Sequence, residues 1–471
     1  MDQRRQPELT SLTDLSTIEG IRVKSSGASE RLLVNLSGLV ALLSGIVFSM
    51  VGALAPMFSR DLNIPTQSIG TIMGSYMLAS ATSGFIGTLY LDRFDRRKAL
   101  AVALAGVVVG LALTGLAPNL PLLIGARIVS GIFAGPANAL SIAIVIDNIP
   151  GERRGAALGS VAAFGAVAQI IGLPAGLIIA QTFGSWRDPF FASALFGLVL
   201  TVLVIANLPA QRGHLEGASS FAIKHRLIGM LRLFGRFDCL VAFGLQMTGI
   251  VPLVAITTIM SIFLVRNLGY PQGALIMLYV IGGGLNVWTA RYMGRGIDKF
   301  GPGAVSLGAS VLLSVAVAIG YLGVGWSVVT ALGDVIHGAL GTGSSFWSSL
   351  QGVGVYPELL PVVGIFALFF ITSSGRLVVG QTITMRIPRP EERAGFQSLG
   401  SAIQSFTMAM SALAIPKLLG STPDGKLTGV DIFCYGVLAV TWLFPPLVYL
   451  LDSLLGRRER AAISAIAVPA E

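Results

Sequence analysis

Charge is scarce in this chain. Only 12% of its 471 residues are Asp, Glu, Lys or Arg, where an ordinary soluble domain carries about 25%. A water-facing surface for a chain of this length cannot be built from so few charges. Histidine occurs three times, as His214, His225 and His337, with no ligand spacing, so no metal site is expected. The two cysteines, Cys239 and Cys434, open two different apolar runs, with no C-x-x-C and no second pair, which excludes a disulfide framework. A membrane-embedded enzyme would require clustered His and Asp, or a nucleophile with a base, at mid-membrane; the sequence has neither. What remains is abundant: 54% hydrophobic residues and 58 glycines, with a mean hydropathy of +0.78. The solvent for most of the chain is lipid.

A helix crossing the hydrocarbon needs ~20 mostly apolar residues, and a helix is the open-chain structure that satisfies its own backbone there. Twelve such spans are predicted: Leu32–Pro56, Gln67–Leu91, Ala99–Leu116, Leu120–Ile146, Ala156–Gln181, Pro189–Leu208, Leu240–Val265, Gln272–Ala290, Gly303–Gly323, Leu360–Thr384, Ala394–Pro416 and Asp431–Leu451. With the N-terminus inside, 25 of the 32 basic residues fall on inner segments and 5 on outer ones. The positive-inside rule then puts both termini in the cytoplasm. The net charge of +9 is therefore mainly a topology signal, and since the basic residues are dispersed between apolar runs, no nucleic-acid partner is expected. The domains follow: a cytoplasmic tail over 1–31, expected to be disordered and uncleaved, a six-helix bundle over 32–208, and a basic linker over 209–239. A second six-helix bundle over 240–451 holds a long external loop at 324–359, and a cytoplasmic tail covers 452–471. The external loop has no Lys or Arg and carries Trp326, Phe346, Trp347 and Tyr356; it reads equally as an interfacial lid or as a plain loop.

The halves echo each other. Thr88-Leu89-Tyr90-Leu91-Asp92-Arg93-Phe94-Asp95-Arg96-Arg97-Lys98 in loop 2/3 answers Gly294-Arg295-Gly296-Ile297-Asp298-Lys299-Phe300-Gly301 in loop 8/9. Arg127-x-x-x-Gly131 answers Arg376-x-x-x-Gly380, and Glu152-Arg153-Arg154-Gly155 answers Glu392-Arg393-Ala394-Gly395. A duplicated six-helix unit produces this pattern. On these residues the chain resembles the major facilitator superfamily from about residue 32 to 451. The loop 2/3 and 8/9 segments look like its G-x-x-x-D-[RK]-x-G-[RK] motif. Gly131, Gly135, Pro136 and the Trp186-Arg187-x-x-Phe190 segment support the match. The nearest flavour is the twelve-span drug and metabolite exporters, similar to sugar-efflux permeases. The first motif copy departs from the pattern, with Thr88 and Asp95 where glycine is usual. The resemblance implies an all-α fold of two pseudo-symmetric bundles, with a single cavity between them opening alternately to each side.

Asp92, Arg93, Arg96 and Arg97, with Gly294, Asp298, Lys299 and Gly301, are the candidate gating residues. A carboxylate there can bond neighbouring cations and helix N-terminal amides in one state and release them in the other. Arg127 and Arg376 are the only basic residues inside spans, and a permanent charge in a span costs ~2.5 kcal/mol or more unless it meets a cavity or partner. They are candidates for an anionic substrate group or for modulating a proton site, and equally for bonding carbonyls of neighbouring helices. Asp147, at the inner end of span 4, is the candidate proton site, with a solvated helix cap as its plain alternative. The polar residues Tyr76, Asn138, Gln169, Gln246, Asn286 and Gln404 are candidate substrate contacts, or interhelical hydrogen bonds. The rest of the cavity is expected to be apolar, suiting an amphipathic molecule. The Gly420–Lys426 segment has phosphate-loop spacing but no strand before it and Leu427 where Ser or Thr is needed, so it reads as a turn. No cofactor is expected.

The expectation is a monomeric secondary transporter in a bacterial inner membrane, in contact with lipid. It would move a small organic solute, amphipathic or anionic, outward in exchange for protons. Import, or flipping of a lipid-linked molecule, would leave the same sequence signature. A receptor would be expected to carry a large soluble domain.

Overall fold

The computed structural model describes residues 27–65, 68–209, 232–324, 326–340, 356, 359–388 and 392–467. The N-terminal tail up to 26, most of the linker, most of the external loop with Phe346 and Trp347, and the last four residues lie outside this description. The first half is built from α1 (Gly27–Asp61), α2 (Ile69–Tyr90), α3 (Arg96–Leu116), α4 (Leu120–Asn148), α5 (Gly151–Phe183) and α6 (Asp188–Asn207). The second half holds α7 (Phe237–Ile262), α8 (Ala274–Leu322), α9 (Trp326–Leu340), α10 (Leu360–Thr384), α11 (Arg393–Leu418) and α12 (Val430–Ala467). A two-stranded antiparallel hairpin, β1 (Gly420–Ser421) and β2 (Leu427–Thr428), joins α11 to α12.

Spans 8 and 9 are the two arms of α8, which breaks at Gly301, φ +80°. Glycine is needed there because a Cβ would clash with the backbone at positive φ. The equivalent position in the first half, Asp95, has φ −57° and needs no glycine. Its carboxylate instead accepts a 3.0 Å hydrogen bond from the Arg97 amide, capping α3. The two motif copies thus turn the chain with different backbone angles and different chemistry. In the external loop, the described part is a helix, α9, whose Trp326 and Val329 pack on the core while Val328, Leu332 and Val335 are exposed.

Among the described residues, eight helical segments are long and apolar enough to cross a membrane, and they correspond to spans 1, 3, 4, 6, 7, 9, 10 and 12. The remaining spans are α2, α5, the first arm of α8, and α11. Of these, α2 packs on α11 and α5 on α8, across the seam between the halves.

The halves meet at the end opposite the termini. At this far end Ile69, Thr258, Ile259, Ile262, Ile415 and Leu427 close around a seam between α2, α7 and α11. Gly74 on α2 lies so close to Leu413 on α11 that a Cβ there would come within 2.6 Å of it. Leu427 is held in place by Asn267, whose amide donates to the Leu427 carbonyl and accepts from its N–H, both at 2.9 Å. At the other, basic end the ion pairs Arg153–Glu30 (2.9 Å), Arg236–Glu392 and Arg458–Asp238 (2.7 Å) each stay within one half. The loop echo at Glu152 and Glu392 is used with reversed polarity. The α1–α5 junction takes its arginine from the loop, and the α7–α11 junction takes its glutamate. The hydrogen bond to Asp238, offset in part by burial and reinforced by Glu392, pushes the Arg236 guanidinium above its ordinary range.

Candidate functional site

Within the first half, α1 and α5 are zipped together. A Cβ on Gly172 would stand 2.3 Å from the Ser49 hydroxyl, and one on Gly45 would stand 2.5 Å from Ala168. In the second half the matching helices part. Between α7, α10 and α11, with Phe444 of α12 behind, lies a cleft of about 500 Å³ including the solvent at its mouth.

Arg376 forms the floor of this cleft. The helix carries it fully into the protein, at 0% exposure. Its Nη2 donates to the Thr248 carbonyl at 3.1 Å and to the Thr441 carbonyl at 3.4 Å, and its guanidinium lies 4.5 Å over the Phe444 ring. Nε and Nη1 have no hydrogen-bond partner. Backbone carbonyls and a ring face offset part of the cost of the charge, and two donors are left over.

Above the floor stand Gln246 from α7, Gln381 and Thr384 from α10, and Gln397, Ser401 and Gln404 from α11. Gln397, Gly400, Ser401 and Gln404 follow i, i+3, i+4, i+7 and so share one helix face. Gln246 and Gln404 were named by the sequence as isolated polar residues. Gln381, Gln397, Ser401 and Thr384 were not, because they lie close to the ends of their spans, where polar side chains are ordinary. This cleft is lined by amides and hydroxyls as much as by Leu245, Leu377, Met385 and Phe444. The polar groups of this cleft converge from three helices, which no single stretch of sequence reveals.

The other arginine sits elsewhere. Arg127 belongs to the first third of α4 and Arg376 to the last third of α10, so their shared R-x-x-x-G spacing does not place them at equal depth. Arg127 is also fully buried, 4.3 Å over the Tyr76 ring, with Nη2 donating to the Val47 carbonyl at 3.4 Å. Its Nε and Nη1 likewise lack partners. Asn138 is half-buried on the same helix, more than two turns further on. The side chains of Asp92, Gln169 and Asn286 lie outside the described set.

At the basic end, Arg96 is buried and its Nε lies 3.0 Å from the Asp147 carboxylate. The N–H does not aim at that oxygen, so the contact is coulombic and not a hydrogen bond. Asp147 is thus neither a bare cap nor isolated. Arg97 reaches across to the carbonyl of Ile205 near the end of α6, while Arg93 is exposed. In the second half Asp298 and Lys299 are exposed, the lysine 5.1 Å over the Phe300 ring, and Gly294 has open space around it.

The sequence model of the Major Facilitator Superfamily matches residues 38–355. Among curated relatives, a triacylglyceride transporter of Mycolicibacterium hassiacum is 26% identical over 197 residues, covering 40% of this chain and 36% of that protein. A triacylglyceride transporter of Mycobacteroides abscessus is 28% identical over 151 residues, 31% and 28% of the two chains. An uncharacterized MFS-type transporter of Bacillus subtilis is 27% identical over 180 residues, 38% and 46% of the two chains. The chain thus spans less than half the length of each. Among solved structures, a bacterial homolog of the human lysosomal transporter Spinster, inward-facing and unoccupied, matches with a TM-score of 0.64 at 15% identity, over 95% of this chain and 100% of that one. A D-xylose–proton symporter matches at 0.61 and 17% identity, over 91% and 96%. At such identities the structural likeness establishes the fold.

Proposed function

Because the chain belongs to the major facilitator superfamily, and so is an integral membrane transporter and not an enzyme, we propose that it moves a small organic solute by alternating access, using the Arg376 cleft as its binding site. The observation that carries this reading is the asymmetry of the two ends. The far-end seam is closed by apolar side chains, while a polar cleft with a buried guanidinium lies towards the basic end.

With both termini cytoplasmic, in a bacterial inner membrane, this arrangement is the inward-facing state of a monomeric carrier. Asp92, Arg93, Arg96 and Arg97 form the gate of the first half, and Gly294, Asp298, Lys299 and Gly301 that of the second. The solute is an amphipathic or anionic metabolite or drug, exported in exchange for protons. Protonation of Asp147 would dissolve its pairing with Arg96 and couple the proton to the gate. Arg127, Tyr76 and Asn138, with Gln169 and Asn286, would serve the first half's share of the cavity. A second reading, transport of a neutral lipid, is favoured only by the names of the mycobacterial relatives.

The test is flux in inverted and right-side-out vesicles across a panel of organic anions, amphiphilic drugs and a triacylglyceride, with and without a pH gradient. Export driven by an opposing proton gradient is expected. Accumulation in the import direction, or flux indifferent to the gradient, overturns the direction or the coupling respectively.

A further inference from the structure

We infer that the solute held in the Arg376 cleft is a polar anion: one carboxylate or phosphate on a short skeleton bearing several hydroxyl or amide groups. This deepens the proposed function and rests on its placing of the binding site in that cleft.

Nε and Nη1 of Arg376 are buried with no acceptor, and the two carbonyls that help it both serve Nη2. Buried donors without acceptors are costly, and hydrogen bonds to an anion are roughly twice as strong as neutral ones. An ester carbonyl could occupy a donor but would leave the buried charge uncompensated. A carboxylate or phosphate answers both needs.

The walls define the rest of the ligand. Gln246, Gln381, Gln397 and Gln404 approach from α7, α10 and α11, and among the described residues none of the four amides hydrogen-bonds another protein group. Each amide offers two donors and an acceptor. The Thr384 hydroxyl donates to the Gly380 carbonyl at 2.8 Å, so it has only acceptor capacity to give, while Ser401 is exposed at the mouth. A hydrocarbon chain placed here would desolvate four amides and return nothing. Hydroxyl or amide groups on the ligand would pair with them. The apolar share of the wall, Leu245, Leu377, Met385 and Phe444, would face the ligand's carbon skeleton.

Two sources share this chemistry: a free hydroxy acid, and the glycerophosphate headgroup of an anionic lipid. The experiment separates them. Ser401→Cys is introduced and, because Cys239 and Cys434 are buried, its labelling by a water-soluble maleimide is followed in nanodiscs. The soluble probes are D-gluconate, D-sorbitol and hexanoate. The lipid probes are phosphatidylglycerol and triolein in phosphatidylcholine discs.

Gluconate at ten times its dissociation constant is expected to slow labelling about tenfold, with sorbitol and hexanoate each weaker by at least that factor. Protection by phosphatidylglycerol but not gluconate also supports the inference and names the lipid headgroup as the source. Protection should be lost in Arg376→Gln and weakened in Gln404→Ala; the second variant keeps the test open if the first misfolds. Equal protection by sorbitol or triolein, or protection by no probe, overturns the polar-anion class. If vesicle flux is nonetheless abolished by labelling Ser401→Cys, the proposed function stands without this class. Flux untouched by that label overturns the cleft itself.

Discussion

Arg96, in the first turn of α3, lies 3.0 Å from Asp147, in the last turn of α4. The arginine is shielded from solvent, while the carboxylate side chain is 33% exposed. The contact ties α3 to α4 at the basic end of the first half, next to the α2–α3 turn that the resemblance marks as the gate. Asp147→Asn removes a counter-charge of the buried guanidinium. A destabilisation of about 1–2 kcal/mol is expected, below the ~3–5 of a fully buried pair because water reaches the carboxylate. Thermal unfolding in detergent measures it. The exchange Arg96→Asp with Asp147→Arg should recover part of the loss, and no recovery would show that Arg96 depends on other partners.

The Arg127 guanidinium lies on the face of Tyr76, which makes a graded series informative. Tyr76→Phe keeps the ring and should leave stability and transport nearly unchanged. Tyr76→Leu removes the ring face and should cost about 0.5–2 kcal/mol. Arg127→Gln should reduce flux at equal expression; normal transport by that variant would assign Arg127 a purely structural role.

Two glycines on neighbouring helices should respond with opposite sign. A Cβ on Gly135 of α4 would stand 2.2 Å from the Ser80 carbonyl oxygen and 2.6 Å from the Gly84 nitrogen, both backbone atoms of α2. Gly135→Ala must push the helices apart, costing about 1–3 kcal/mol. Gly159 on α5 is exposed, with nothing within 4 Å of the new Cβ. Gly159→Ala should stabilise by about 0.5–1 kcal/mol through helix propensity. The paired melting temperatures decide, and a stabilised Gly135→Ala would contradict the close α2–α4 approach.

Asn267 imitates a strand partner for Leu427, one donor and one acceptor at 2.9 Å each. Asn267→Ala loses both bonds and should cost about 1–3 kcal/mol. It should also loosen the far-end seam that Leu427 helps to fill. A cysteine at Ile415, in the same seam, should then label faster from the far side; unchanged labelling would mean the hairpin holds without its clamp.

Much of the fold was legible in one dimension. Each lipid-facing helix must be a continuous apolar run, so those spans announce themselves by composition. All twelve spans were marked by their apolar runs, and charge alternation set their orientation. The turn after α2 and the break at Gly301 were likewise visible as motif copies. The Asp95 cap was not, because a departure from glycine says only that the backbone differs.

The sequence by itself determined a lipid-embedded, duplicated helical chain with two guanidiniums in its hydrocarbon. Periodicity, hydropathy and charge are local properties, and a membrane punishes every local exception. Only the tertiary structure decided what those guanidiniums meet. Tyr76 and Arg127, or Phe444, Thr248 and Arg376, are far apart in sequence, and their encounter depends on helix rotation and spacing. The cleft arises because α7 and α11 part where α1 and α5 are locked by Gly45 and Gly172. That difference lies in how small residues face one another across an interface, a relation between helices and not a property of either one.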